Sequence, residues 1–332
     1  MKKLTEFLWI DTCLKPLATS PAALHLQDDA AIFEGPEGYE WVVSTDTSVA
    51  GVHFLPSLPP QEIAVKIFRS SLSDLAAMGA QPVGYLMNFC RPSTGCPDEW
   101  LTAFAEALRD EQEKFECSLW GGDTVLSPES LQITFTVFGQ TLKGKSLKRQ
   151  GAQVGDLIFV TGFLGDSHLG LNVLSGVLQI PEPHASYLIN RHLHPPTLWS
   201  FSCAAAKAGV VSSAIDISDG FLADLEHILK SSQVSAGVAL ENLPLSSAVQ
   251  SCWHLLEKPF KTPWEAVLTG GEDYELIFTV PRGRVTEWLA LASTHNVRLH
   301  QVGEIITLQD DNIALTLHGE RHRISWEGYV HF

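Results

Sequence analysis

The chain has 332 residues, 45% of them hydrophobic and 18% charged, with a formal net charge of −16. That length suggests two domains, and the acidity argues against a general affinity for nucleic acid, which needs a basic footprint to displace phosphate counterions. No apolar run approaches the roughly 20 residues that cross a bilayer, and the six cysteines (Cys13, Cys90, Cys96, Cys117, Cys203 and Cys252) form no C-x-x-C pair, so neither a zinc site nor a disulfide framework is indicated and a reducing cytoplasm is the expected setting.

In chain order, MKKLTEFLWIDTCL carries Leu4, Phe7, Leu8 and Leu14 at helical spacing, while Glu6 and Asp11 interrupt the run a signal peptide would need. LQDDAAIF sets Asp28 and Asp29 before an apolar strand, and EWVVSTDTSVAGVHF reads as a strand ending at Asp46 with His53 close behind. A helix follows whose apolar positions include Ile63, Ile67, Leu75 and Met78; Asp74 falls in its interior, where aspartate has low propensity and no cap to make. PDEWLTAFAEALRDEQEKFE is amphipathic through Leu101, Phe104, Leu108 and Phe115, and SLWGGDTVL places Asp123 directly after Gly121 and Gly122. In LQITFTVF, Leu131, Ile133, Phe135 and Val137 alternate with Gln132, Thr134 and Thr136, the pattern of a half-exposed strand.

GQTLKGKS, residues 139–146, matches the phosphate-loop pattern letter for letter. The pattern works when a helix follows, so that its N-terminus converges on the phosphates. Here the basic linker KGKSLKR leads instead to GDLIFVTG, another strand, and a phosphate loop is not expected. Further on, SSAIDISDGFLADLEHIL holds Asp216 in a strand ending at Ser218 and Asp219, with Ser218 as helix N-cap and Leu222, Leu225 and Leu229 at helical spacing. His192 with His194, and His318 with His322, have the spacing of metal pairs but lack a third ligand nearby. LSD with GGD in the first half and ISD with GGED in the second hint at a repeat without establishing one.

Asp29, Asp46, Asp74, Asp123 and Asp216 thus stand at strand ends or beside glycines, with few basic neighbours. Singly, each reads as a turn former or a solvated side chain. Gathered together, such carboxylates repel and must be neutralised. An oxygen-only ligand set favours a hard cation, and Mg²⁺ commonly bridges a few carboxylates to substrate phosphates. The chemistry this implies is phosphoryl transfer or hydrolysis.

The motifs DDAA, STDTSVAGVHF, LSDLAAMGAQP, GGDT, GDLIFVTGFLGDS, DISDG, GGEDYEL and the terminal GYVHF, in this order, resemble those of the thiamine-monophosphate kinases, in the superfamily of aminoimidazole ribonucleotide synthetase and selenophosphate synthetase. The resemblance runs nearly end to end. It implies a mixed α/β, two-domain aminoimidazole ribonucleotide synthetase-like fold: an N-terminal domain over 1–140 that pairs across a homodimer, a C-terminal domain over 150–305, and a segment 306–332 closing the substrate site. The implied reaction is transfer of the γ-phosphoryl group of ATP to thiamine monophosphate. Carried over position by position, Asp29, Ser44, Thr45, Asp46, Asp74, Asp123, Asp216 and Asp219 resemble ligands of a magnesium cluster; Gly122, Asp123, Arg149 and Ser218 resemble ATP contacts; His53, Glu272 and Tyr329 resemble substrate contacts.

Two departures stand out. Where the family writes G-x-G-D-D, His25 and Gln27 replace the glycines, so a different backbone is expected before Asp29; and GYVHF carries Val330 where the family writes Asp. The alternative readings are an ATP-dependent synthetase of the same superfamily with another substrate, and a catalytically silent nucleotide- or thiamine-phosphate-binding protein.

Overall fold

The alternating strands of the first half assemble into one sheet. In the computed structural model, which describes residues 10–18, 20–258 and 260–324, β1 (Ala31–Glu34), β2 (Tyr39–Val49), β3 (Gln81–Pro92), β4 (Ser118–Ser127) and β5 (Gln132–Leu142) lie in the order β1-β2-β5-β3-β4. Only β3 and β4 run parallel. β5 keeps the expected alternation, with Ile133, Phe135 and Val137 buried. That face packs on α1 (Pro60–Ser71), α2 (Ser73–Ala77) and α3 (Asp98–Phe115), whose contributions to the core include Ile63, Ile67, Phe68, Leu75, Phe104, Leu108 and Phe115. Each fully buried aliphatic or aromatic side chain is worth about 1.5–3 kcal/mol.

The single helix expected around Asp74 is in fact two. Ser70 and Ser71 both donate their hydroxyls to the Ile67 carbonyl, at 3.0 and 2.9 Å, competing with helical hydrogen bonding, and α1 ends there. Asp74 is consequently the second residue of the five-residue α2, not a mid-helix residue. Asp46 likewise sits within β2, opposite Phe135, rather than at the strand's end.

The second sheet has seven strands in the order β12-β11-β8-β10-β6-β9-β7, namely β6 (Leu157–Thr161), β7 (Ser213–Asp216), β8 (Ser235–Ala239), β9 (Leu276–Val280), β10 (Leu299–Ile306), β11 (Ile313–Leu317) and β12 (Glu320–His322). β6 and β9 are buried along their whole length and read as unbroken apolar runs, because helices cover both faces. Ile158, Val160 and Ile277 face α4 (Asp166–Leu174) and α5 (His184–Leu193), while Leu157, Phe159 and Phe278 face α6 (Trp199–Ala208). The helix after β7 is α7 (Phe221–Ser232). Of the segment 306–332 expected to close the site, residues 313–322 supply two strands to this sheet, and Tyr329 and Val330 lie outside the described residues, as do Leu4, Phe7 and Leu8 of the expected N-terminal helix.

No helix follows GQTLKGKS before α4, so the phosphate-loop match has no nest to offer. Its groups are used otherwise: Lys143 pairs with Glu34 at 2.8 Å and Ser146 donates to Glu40 at 2.9 Å. Among the described residues no helix is long and apolar enough to cross a membrane.

The two sheets meet at α2. Ala76 and Ala77 join Phe201, Ala205 and Ala206 of α6 in one core cluster. Gly79, at φ +65°, closes that junction: a Cβ there would lie 2.7 Å from Ala206 Cβ. The short helix is thereby fixed between the domains, with Ser73 and Asp74 pointing to the space they enclose.

Candidate active site

Three carboxylates from distant parts of the chain converge at this junction. Ligand oxygens of Asp29, Asp74 and Asp216 lie within 4.8 Å of one another. Asp29 arrives just before β1, Asp74 on α2 and Asp216 at the end of β7. Asp46 adds a fourth through hydrogen-bonding contact with Asp74. Ser44, two residues earlier on the same face of β2, donates its hydroxyl to Asp74 Oδ2, and Ser73 Oγ donates to Asp216 Oδ2 at 2.6 Å.

Such crowding resists ionisation. Burial first, then the neighbouring Asp46, Asp216 and Asp29, push the Asp74 carboxyl well above its ordinary range. Burial and Asp29 push Asp216 up to about 7 against the pull of Ser73 and Arg149, and burial chiefly pushes Asp46 up to about 6. The group is held together at a cost that a cation would remove. Asp29 Oδ2 is buried without a hydrogen-bond partner, an acceptor left over inside an all-oxygen set. Both features fit a hard divalent cation such as Mg²⁺.

Arg149 closes one side. Its guanidinium donates to Asp29 Oδ1, through Nε at 3.0 Å and through Nη2, and its backbone N–H donates to Asp28 Oδ1 at 2.8 Å. Two residues assigned separately from sequence, one to metal and one to nucleotide, are thus paired with each other.

Ser218 is not the N-cap of α7. The helix begins at Phe221 after Gly220 without a side-chain cap, and Asp224 inside its first turn instead holds the approach to it, its Oδ2 accepting from the backbone N–H groups of both Ser218 and Asp219 at 3.0 Å. Burial and the nearby Asp219 and Asp216 raise Asp224 well above its ordinary range. Sequence reasoning missed it, although an acidic residue in a first helical turn is the signal for it.

On the other side stands a mixed cluster. Glu272 Oε1 accepts from Lys66 Nζ at 2.7 Å, and its Oε2 lies 3.7 Å from His192 Nδ1. Burial alone would raise Glu272, but Lys66, His192 and His53 together hold its carboxyl below the usual range. His192 accepts or donates at Ser167 Oγ, 3.1 Å away, and burial, then Lys66, depresses its ring to about 4, so it is neutral at pH 7. His53 Nδ1 accepts from the Val49 N–H at 3.1 Å.

With this geometry in view, comparison with known proteins is specific. Residues 27–141 match the family model "AIR synthase related protein, N-terminal domain", and residues 153–315 match its C-terminal counterpart. The chain is 39% identical over 315 residues to thiamine-monophosphate kinase of Escherichia coli (strain K12), covering 93% of this chain and 92% of that relative. With the Caulobacter vibrioides protein of the same name it shares 35% over 332 residues, 98% of this chain and 91% of that one. The chain belongs to the thiamine-monophosphate kinase family. Among solved structures, "AaThiL complexed with AMPPCP and TMP" superposes with a TM-score of 0.84 at 30% identity, covering 100% of this chain and 98% of that chain.

Against the family's motifs, the missing glycines have a structural outcome. Leu24, His25 and Leu26 all take positive φ, at 48°, 57° and 56°. His25 therefore occupies the left-handed conformation that glycine adopts freely and other residues resist. Gly122, which the family's GGDT motif shares, is required where it stands: at φ +151° a Cβ would lie 1.8 Å from the Met87 carbonyl oxygen.

Not every kinase-family position meets the cluster within this chain. By register Asp123 pairs with Asn88, and Asn88 with Thr134, which places it on the opposite face of the sheet from Asp46; its Oδ1 accepts from the Thr124 N–H at 2.8 Å. Thr45 is also turned to that face, bonded to Thr136 Oγ1 at 3.0 Å. Ser73, Asp224 and Lys66 are site residues that sequence reasoning missed.

Proposed function

We propose that this kinase transfers the γ-phosphoryl group of ATP directly, in line, to the phosphate of thiamine monophosphate, giving thiamine diphosphate. The observation carrying this reading is the convergence of Asp29, Asp74 and Asp216, with the orphaned Asp29 Oδ2, at the junction of the two domains. The bound AMPPCP and TMP named for the structural relative support ATP and thiamine monophosphate as the substrate pair.

Asp29, Asp46, Asp74 and Asp216, with Ser44, are the residues to hold Mg²⁺; Asp219 joins them by family resemblance, while Thr45 and Asp123 face the other side of the sheet within this chain. When bound, the metal supplies charge neutralisation for two mutually repelling phosphates. The acceptor is already an anionic oxygen, so the protein needs no general base, and its task is alignment and electrostatics. Arg149, released from Asp29, offers a planar pair of charge-assisted donors to the polyphosphate. Asp224 holds the Ser218–Asp219 backbone open as the floor of the nucleotide site, with Gly122 and Asp123 as further contacts. Glu272, kept ionised, meets the cationic thiamine together with His53, and Tyr329 is a further substrate contact by family resemblance alone.

β4 is an edge strand whose Leu119, Trp120, Val125 and Leu126 are exposed, Leu126 at 77%. Natural edges of this kind are normally covered. We take it as the surface of a homodimer, with Asp123 carried on it, acting in the cytoplasm; sedimentation should find a dimer.

The test is ADP release from ATP with thiamine monophosphate, with and without Mg²⁺, and with free thiamine as the rival acceptor. Magnesium-dependent turnover with the monophosphate alone supports the reading. No turnover in folded protein would overturn it in favour of a sister substrate or a binding role.

A further inference from the structure

Lys66 has no part in the chemistry above, yet it is 2% exposed, on the core-facing side of α1 between Ile63, Ile67 and Phe68. A lysine ammonium is strongly hydrated and almost never fully buried unless paired. Its partner is Glu272, at 2.7 Å, on the far side of the domain junction; its other contact is the His192 carbonyl, at 3.5 Å.

Glu272 is itself constrained. Its φ is +69°, a conformation rare for a residue with a side chain, and its N–H donates to the Ser218 carbonyl at 2.8 Å. The preceding Gly271 packs so closely that a Cβ would lie 2.2 Å from the same carbonyl. The backbone thus aims the carboxylate, and a side-chain partner is needed to fix its rotation and charge. His192 stands farther off, its Nδ1 3.7 Å from Oε2. Lys66 is the nearer partner, its Nζ 2.7 Å from Oε1.

We propose that Lys66 is a positioning residue for acceptor recognition: reaching from the first domain, it fixes the Glu272 carboxylate of the second in the orientation that meets the thiamine moiety. The proposal rests on the reading of Glu272 as a substrate contact. With Lys66 bonded to Glu272 and the His192 carbonyl, its effect falls on the acceptor and spares the nucleotide.

The experiment is a double-mutant cycle on the intact protein: wild type, Lys66→Met, Glu272→Gln and the two combined, with kcat and KM measured for both substrates and melting temperatures recorded. Loss of a hydrogen bond between charged groups corresponds to roughly a 10- to 100-fold change. Each single variant is expected to raise KM for thiamine monophosphate by about that factor, and KM for ATP by less than about twofold; the combined variant should be no worse than Glu272→Gln alone. Losses that multiply in the combined variant, or a KM for ATP that rises in parallel, would overturn the assignment. If Lys66→Met does not fold, the combined variant, which removes both buried charges, is compared with Glu272→Gln: equal KM values support the role and a further rise overturns it. Absence of wild-type turnover would overturn the functional reading itself, whereas an active wild type with multiplying losses overturns Lys66 alone.

Discussion

Replacing Asp216 by asparagine isolates the electrostatic cost of the carboxylate cluster. The ordinary value for this carboxyl is 3.8 and the fold pushes it up to about 7. Between those values the folded chain holds a proton that the unfolded chain has released, so stability is full below the lower value and is lost as pH rises through the upper one. Integrated for this single group, the loss between pH 5 and pH 8 is about 3 kcal/mol. Asparagine keeps the shape, and its carbonyl can still accept from Ser73 Oγ, but it cannot ionise. In EDTA, the melting temperature of Asp216→Asn relative to wild type should rise by about 6 °C between pH 5 and pH 8, at about 2 °C per kcal/mol for a chain of this size. Calorimetry at the two pH values reads the difference directly, and any packing cost of the substitution cancels. Mg²⁺ should narrow the gap by stabilising wild type, while the variant loses magnesium-dependent turnover. A gap that does not change with pH would refute the reasoning, because the strain at Asp216 would then not be one of charge.

Gly122→Ala should cost about 3 kcal/mol or more in urea unfolding, since the new Cβ meets the Met87 carbonyl at 1.8 Å and β3 and β4 must part; a change under about 0.5 kcal/mol would contradict the contact. His25→Gly should stabilise by about 1 kcal/mol, with an unchanged denaturant slope, because an exposed side chain is being held at φ +57°. Arg149→Lys keeps the charge but loses the fork, and should lower kcat/KM for ATP about tenfold, with Arg149→Met lower by about 100-fold or more; equal activity of the two variants would show that only charge matters.

How far the sequence reveals this depends on the distance over which a residue's role is decided. The strand at 132–142 was legible because its alternation is local, and β6 because burial on both faces demands an unbroken apolar run. The break between α1 and α2 was not, since it turns on where Ser70 and Ser71 send their hydroxyls. Asp74 and Asp216 stood out as aspartates in unusual places, but nothing in the order of residues says that one faces the other through Ser73. Lys66 was invisible for the opposite reason: a single lysine in an apolar helical stripe looks like a snorkelling side chain until its partner, 206 positions away, is seen. Asp123 marks a different boundary, because the register that decides its face is a property of three strands together.

The pairing of Arg149 with Asp29 makes the resting site its own counterion. On the proposed function, loading it would be an exchange of partners: the carboxylate would give up a guanidinium for a metal, and the guanidinium a carboxylate for a phosphate. Neither half is favourable alone, since each would strand a buried charge. Metal and nucleotide should therefore bind with positive, reciprocal cooperativity, and a kinase built this way is guarded against holding either one without the other.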